Sequence, residues 1–407
     1  MKQGLTPEQS RAAFLAYSEG KNWEQRAAGA RIFQTIKKAA WNSGATPVAK
    51  FEVREEKSLP PLAWICETRE NGCHFTVGPG VEYGDGYIVE GAWDGDFAAR
   101  DFADSDHFYG SGARLDKDGV CVFVPPKHCA DYLFVLHDKE RGATWISNSF
   151  NFIFARAGVS LESEFFRAFK AGVNETTNSE SALGADRGQP LIAETPSHLM
   201  YRMMYHNFAA DSRGGINYFP RTPAKIPGAS FQDYKRFLHE KTSAILANGA
   251  AKTRKFPYGA ITTLSTGYDS CATSAVCAAC GVKDAVTLDV VTVGHNDCGS
   301  AIAASLGLNC HKVASPLGGN TPVLKAVMDR NTDLLEFIAT PGLGDNVAFR
   351  AMEPYFKGNL VFSGLYGDGC WSKAGGPPGL AHALPYMKSR MEFRLRVGYC
   401  LIPVPAF

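Results

Sequence analysis

The feature that most restricts the fold is a change of rhythm after Tyr258, where short apolar runs begin to alternate with helical stretches. AITTL (260–264) reads as a strand, SCATSAVCAAC (270–280) as a helix of small residues closed by Gly281, and AVTLDVVTV (285–293) as a second strand. SAIAASL (300–306) follows as a helix stopped by Gly307, and NLVFS (359–363) as a later strand. Strands alternating with helices in this way are joined by right-handed crossovers, which implies a parallel sheet. Ligands of such sheets gather at the carboxyl ends of the strands, where helix N-termini present N–H groups without intrahelical partners. Chemistry is therefore expected in the loops that follow Leu264 and Ser363.

The preceding half reads differently. From Phe51 to Ser149, short alternating or apolar runs (FEVREE, LAWICET, CHFTV, GYIVEGAW, VCVFVPP, YLFVLHD, TWISNS) are separated by Gly, Pro, Asn and Asp, a pattern that predicts antiparallel sheet. Residues 6–44 read as helical, with Trp23 and Trp41 as packing anchors, and 173–192 as an exposed polar loop. After the proline-rich RTPAKIPGAS (221–230), Ser230 and Asp233 have the spacing of a helix cap. Phe231, Tyr234, Leu238, Ile245 and Leu246 then recur at helical intervals up to Asn248-Gly249. The expected organisation is α/β, with a β-rich α+β domain over 1–228 and a parallel-sheet domain over 229–407.

Composition bounds the function. Within 407 residues, 42 Lys+Arg against 41 Asp+Glu leave a formal charge of +1, which removes the electrostatic term that sequence-independent nucleic-acid binding needs. No run of about 18 uncharged apolar residues occurs. The opening MKQGLTPEQSRAAF lacks the apolar core of a secretory signal, so the chain reads as cytoplasmic and not membrane-bound. Its 11 cysteines are odd in number and scattered, which favours reduced thiols.

The first loop, Ser265-Thr266-Gly267-Tyr268-Asp269-Ser270, concentrates hydroxyls, a glycine and one carboxylate between a strand and a helix. That composition suits a polyphosphate. Gly267 permits close backbone approach, the hydroxyls of Ser265, Thr266 and Ser270 can donate to phosphate oxygens, and Asp269 can hold the Mg2+ that neutralises them. The chain has no Walker A run, Gly-x-x-x-x-Gly-Lys-Ser/Thr, which argues against transfer of the ATP γ-phosphate.

These six residues resemble the Ser-Gly-Gly-x-Asp-Ser signature of the PP-loop ATP pyrophosphatases, with Thr266 at the second position. The second loop, Ser363-Gly364-Leu365-Tyr366-Gly367-Asp368-Gly369, resembles the Ser-Gly-x-Gly-Ala-Asp-Glu segment of asparagine synthetases in that superfamily. Gly367 replaces the small residue before Asp368, and Gly369 replaces the glutamate. Between them, the stretch from Asp297 through Ser300-Ala-Ile-Ala-Ala-Ser-Leu-Gly307 to His311 is similar to the same enzymes' helix, Leu-Gly turn and histidine.

The resemblance covers about residues 230–370 and implies an adenine nucleotide α-hydrolase-like domain that uses ATP and Mg2+. By the same resemblance, Leu264, Ser265, Thr266, Gly267, Tyr268, Asp269, Ser270, Val293 and Gly364 would contact the nucleotide, and Asp269 and Asp368 the metal. Catalytic roles would fall to Asp269, Asp368 and Lys373, with Lys388 or Arg390 stabilising charge in acyl transfer. The implied reaction is adenylation of a small-molecule carboxylate with release of pyrophosphate, followed by displacement of AMP by an amine.

The first half resembles the amidotransferase domain of those enzymes only through its β-rich character, SNSF (147–150) and the order of the halves. Its first cysteine is Cys66, so the N-terminal nucleophile of glutamine-dependent members is not expected here, as in β-lactam synthetase-like enzymes. This half would shape a substrate pocket or a homo-oligomer interface.

Two other functions compete for these residues. Cys277-Ala278-Ala279-Cys280 has the CxxC spacing of PP-loop enzymes that thiolate RNA, although its Ala, Val and Thr neighbours favour a structural, buried face. Loss of the glutamate at Gly369 leaves open a non-catalytic binding protein. Cys66, Cys73, His74, Cys121, His128 and Cys129 do not have zinc-finger spacing and read as core and loop residues. Trp93-Asp94-Gly95-Asp96 and Tyr109-Gly110-Ser111-Gly112 read as turns without chemistry, and Gly78-Pro79-Gly80 lacks the helix that a dinucleotide loop requires.

Overall fold

A computed structural model describes residues 47–69, 72–127, 132–160, 163–169, 191–219, 230–289, 291–292, 295–314, 352, 354–364 and 400–403. The helix expected over 6–44, most of the loop expected over 173–192 and the segment 221–229 lie outside them. The fold is mixed α/β, with two stacked sheets in the first half and a mainly parallel sheet in the second.

The first sheet comprises β1 (Lys50–Glu55), β2 (Trp64–Arg69), β3 (Gly72–Val77), β8 (Leu133–Asp138), β9 (Ala143–Ser147), β10 (Leu191–Glu194) and β11 (His198–Met203). Its order is β1-β3-β2-β9-β8-β11-β10. The second comprises β4 (Glu82–Gly84), β5 (Tyr87–Trp93), β6 (Phe108–Leu115), β7 (Cys121–Val124), β12 (Asn207–Ala210) and β13 (Ile216–Phe219), in the order β13-β12-β7-β6-β5-β4. Trp64, Phe75, Leu133 and Ile146 from one sheet meet Ile88, Phe123 and Phe208 from the other in a shared core. Helix α1 (Phe150–Ala157) covers the far face of the first sheet through Ile153 and Phe154.

Two expectations for this half need correction. The β1–β3 pair is parallel, whereas every other ladder of the two sheets is antiparallel. The eight residues between β1 and β2, with Pro60 and Pro61, are long enough to carry the chain past one strand position, so β3 can fold back between them. Tyr109–Gly112 is not a turn but lies inside β6. Its glycines answer to contact: Gly110 sits opposite Gly91, and a Cβ there would come within 2.0 Å of the Glu90 carbonyl oxygen.

Helix α2 (Phe231–Gly249) opens as its spacing predicts, with the Asp233 N–H donating to Ser230 Oγ at 3.1 Å. Ile245 packs inward, while Phe231 is 71% exposed and does not belong to the packed face. Strands β14 (Gly259–Thr263), β15 (Asp284–Asp289), β18 (Asn309–Ala314) and β19 (Asn359–Ser363) form the parallel sheet. Helices α3 (Tyr268–Ala279) and α4 (Ser300–Leu306) make the crossovers, and β20 (Cys400–Pro403) adds an antiparallel edge to β19.

The order β18-β15-β14-β19-β20 runs outward from β14 through β15 to β18, then resumes on its other side with β19. The strand expected over 285–293 is shorter than its apolar run. β14 ends at Thr263, opposite Val286, and the last described pair of β15 is Asp289 with Ala314 of β18. Val291–Thr292 (β16) pairs instead with His295–Asn296 (β17).

The two halves share a core. Ala92 and Tyr109 of the second sheet pack with Ile245, Tyr258, Leu360 and Phe362. Strand β5 is consequently buried on both faces from Ile88 to Trp93. The Trp93–Asp96 segment carries the polar part of this junction: Asn248 Nδ2 donates to the Gly95 carbonyl at 2.8 Å, and Lys241 Nζ reaches Asp94 Oδ2 at 2.5 Å. Among the described residues, no helix is long and apolar enough to cross a membrane.

Candidate functional site

The loop 265–270 leaves the carboxyl end of β14 and runs directly into α3. Gly267 is the N-cap, in an extended conformation (φ −69°, ψ 146°) and without a side-chain cap bond. The first-turn N–H groups therefore keep the orientation and partial positive charge of a helix N-terminus. Thr266 has no positive φ, so the β-branched residue at the second position of the motif carries no left-handed strain.

Internal hydrogen bonds set the shape of the loop. Ser265 N–H donates to Ser270 Oγ at 3.1 Å, Gly267 N–H donates to Ser265 Oγ at 3.1 Å, and the two serine hydroxyls lie 2.9 Å apart. Ser270 Oγ is also 2.9 Å from the Gly267 carbonyl oxygen. The two serine hydroxyls and the Ser265 and Gly267 N–H groups are thus committed within the loop. A Cβ on Gly267 would meet Ser265 Oγ at 3.3 Å, which is tight enough that glycine keeps this surface open.

Two neighbours enclose the loop. On one side, Thr263 Oγ1 donates to Ser363 Oγ at 3.0 Å, joining the ends of β14 and β19. Gly364 then passes so close to α3 that a Cβ would lie 2.5 Å from both Asp269 C and Ser270 N. On the other side, Cys298 forms a bridge to Ser265, and Asp297 Oδ1 accepts from Thr266 N–H at 3.0 Å and Thr266 Oγ1 at 2.6 Å. The carboxylate of Asp297 thus occupies a loop amide with an anionic oxygen, as a phosphate would.

Electrostatics near the loop are graded by burial. The Cys298 thiol is held below its ordinary range by its hydrogen bond to Ser300, against a smaller opposing effect of burial, and Lys312 contributes. Burial pushes the Cys271 thiol up instead; its Sγ lies 3.5 Å from the Ser265 carbonyl oxygen. Asp269 is half-buried in the first turn of α3, and Tyr268 is 90% exposed beside it.

The loop residues Ser265, Thr266, Gly267, Tyr268, Asp269 and Ser270 are contiguous at this end of the sheet, and Gly364 joins them. Leu264 differs: its side chain turns into the core with Ala285, Ala303 and Leu308. His311 is not gathered at the loop; its ring stacks on Tyr355 at 4.7 Å, with Nε2 3.3 Å from Asp284 Oδ1. Val293, Asp368, Lys373, Lys388 and Arg390 lie outside the described residues, as do His128 and Cys129.

Asp297 is the contact that sequence reading did not assign to the site. Its position at the head of the helix-Leu-Gly-His stretch was the available signal, but nothing local pairs it with Thr266, 31 residues away. Cys277 is fully buried, and burial pushes its thiol up. Cys280 is half-buried with Sγ 3.6 Å from the His239 carbonyl oxygen, so the CxxC pair forms part of the packing of α3. Cys66, Cys73 and Cys121 are buried in the core between the stacked sheets.

Compared with protein-family models and with curated proteins, the chain matches none.

Proposed function

We propose that this chain is an ATP-dependent synthetase of the PP-loop ATP pyrophosphatase type, similar to asparagine and β-lactam synthetases, with the nucleotide domain over 229–407 and an amidotransferase-like domain over 1–228. The observation that carries this reading is positional. The loop 265–270 and the Ser363–Gly364 end of β19 meet at the carboxyl ends of two adjacent parallel strands, where the strand order reverses direction. That crevice is where open parallel sheets bind nucleotides.

In this reading, main-chain N–H groups of Thr266 and the first turn of α3 bind the phosphate oxygens, and Asp297 yields Thr266 to them. Asp269 is the carboxylate in reach of Mg2+, which supplies neutralisation of the phosphate charge when bound. Among the described residues, no group of three or more His, Cys, Asp or Glu is gathered to hold a metal. The site fits Mg2+ nevertheless, because that ion is commonly held by one or two carboxylates together with phosphate oxygens.

The reaction has two displacements. A carboxylate oxygen of the substrate attacks the α-phosphorus, the bond from that phosphorus to the bridging oxygen breaks, and pyrophosphate leaves. An amine then attacks the acyl carbon of the adenylate, the acyl C–O bond breaks, AMP leaves, and the ammonium proton passes to a base. Asp368 and Lys373 are the proposed further participants. The burial of Cys277 favours this chemistry over a sulfur-carrying CxxC.

The test is pyrophosphate release from Mg-ATP across a panel of carboxylate and amine substrates. Asp269→Asn is expected to lower the rate by roughly 10²-fold, the scale for removing a preorganised electrostatic group. Release that is unchanged in Asp269→Asn would overturn the assignment of that residue.

A further inference from the structure

A second cleft lies between β4–β5 and the segment that follows α2. It encloses about 470 Å³ and is lined by Tyr83, Tyr87, Arg100, Arg254 and Lys255, with Glu82 as its carboxylate. Glu82 accepts from the backbone N–H of Lys255 at 2.9 Å, and Lys255 Nζ is engaged by Glu55 at 2.6 Å. With Lys255 paired to Glu55, the two arginines exceed the Glu82 carboxylate by one positive charge.

Their placement is unusual. The guanidinium carbons of Arg100 and Arg254 lie 3.7 and 4.1 Å from the centroid of the same Phe97 ring. The two charges are thus no more than about 8 Å apart, within about one Debye length at physiological salt. Neither has a carboxylate oxygen within 4.0 Å among the described residues, and the same holds for Arg114, whose Nη1 donates to the Arg100 carbonyl at 3.1 Å.

Arg254 is 5% exposed and fixed by the Asn248 and Gly91 carbonyl oxygens, with Nη1 lacking a hydrogen-bond partner. Burial draws its pKa below the ordinary range; Tyr258, Glu82 and Glu90 oppose that shift, and the charge of Arg100 adds to it. Arg100 is half-buried and holds a left-handed backbone, φ 55°, that disfavours any residue other than glycine. A half-buried cation close to a second, buried cation that keeps an unpartnered N–H is an arrangement whose charge an anion would offset.

We infer that this cleft binds a small oxyanion, a phosphate or carboxylate group of a metabolite, with Arg100 making the contact and Arg254 supplying positive charge behind it. The bound anion would bridge the sheet of the first half to the segment after α2, so it would stabilise the junction of the two halves. The inference does not depend on the nucleotide reading of the loop 265–270.

The test is the thermal midpoint of the full chain titrated with inorganic phosphate, and separately with citrate, at constant ionic strength set by chloride. A saturable rise in either arm is expected; the arm with the stronger response identifies phosphate or carboxylate as the preferred group. Arg100→Gly removes the fork while easing the left-handed backbone, so it should fold and yet require at least about tenfold more anion for the same rise. Arg54→Ala, which removes an exposed arginine paired with Glu56, should respond as the wild type does. Gly364→Ala, which disturbs the loop after β14, tells the two places apart: a rise lost in Gly364→Ala and kept in Arg100→Gly would put the anion at that loop and overturn the inference. Absence of a saturable rise in both arms, or an unchanged rise in Arg100→Gly, would overturn the inference.

Discussion

Gly364 shows how one residue can fix the spacing of the candidate site. Its Cα lies against the backbone of Asp269 and Ser270, and the 2.5 Å approaches that a Cβ would make are to main-chain atoms, which cannot rotate away. Gly364→Ala must therefore push β19 and α3 apart. Overpacking of this kind costs roughly 1–3 kcal/mol, so a lowered denaturation midpoint is expected, with greater loss of nucleotide binding than of stability. A variant with unchanged midpoint and unchanged binding would show that the close approach does not constrain the loop. Thr266 makes the complementary point. Its main-chain and side-chain donors both converge on Asp297, so a single carboxylate holds the exposed part of the loop.

At the scale of elements, legibility in the sequence followed locality. The α4 segment 300–306 and the β19 segment 359–363 carry their own boundary signals, and both form as the apolar runs predict. Gly307 adopts the left-handed C-cap conformation, φ 70°, that its position after α4 predicts. The capping pair that opens α2 is equally local. What could not be read depends on partners distant in the chain. The run 285–293 has strand composition throughout, but Val291–Thr292 leaves the ladder of β15 to pair with His295–Asn296, a partner that composition does not name. The glycines of β6 resemble a turn until Gly91 is seen opposite Gly110. The same division holds in the site: the six residues 265–270 were legible as one motif, whereas the contacts from Asp297 and Ser363 required the sheet to bring them together.

For the whole molecule, the junction between the halves is both apolar and charged. Its apolar part places Phe362 and Leu360 against Ala92 and Tyr109, so the strand that carries Ser363 is backed by the first half. Its charged part includes the Lys241–Asp94 and Lys255–Glu55 pairs, and Asp94 also accepts from Ser105 Oγ at 2.5 Å. Burial opposes ionisation of Asp94, but the hydrogen bonds from Lys241 and Ser105 outweigh it and hold the carboxyl below its ordinary range. A depressed carboxyl contributes stability that is present above its unfolded value, about pH 4, and is lost as pH falls through the lower folded value. Lys241 is partly exposed, so screening limits the contribution to on the order of 1 kcal/mol. Asp94→Asn is expected to lower stability at pH 7 and flatten the acid limb of the stability profile below about pH 4. Equal acid limbs in urea denaturation of variant and wild type would contradict the role of this pair.

The central claim is that the turn between β14 and α3 binds the phosphates of ATP. Isothermal titration calorimetry of the full chain with ATP, in the presence and absence of Mg2+, tests it most directly. The account predicts saturable binding that strengthens with Mg2+ and weakens by roughly tenfold or more in Asp269→Asn, in keeping with loss of a charged partner. Failure of the folded chain to bind Mg-ATP, or equal binding by wild type and Asp269→Asn, would contradict it.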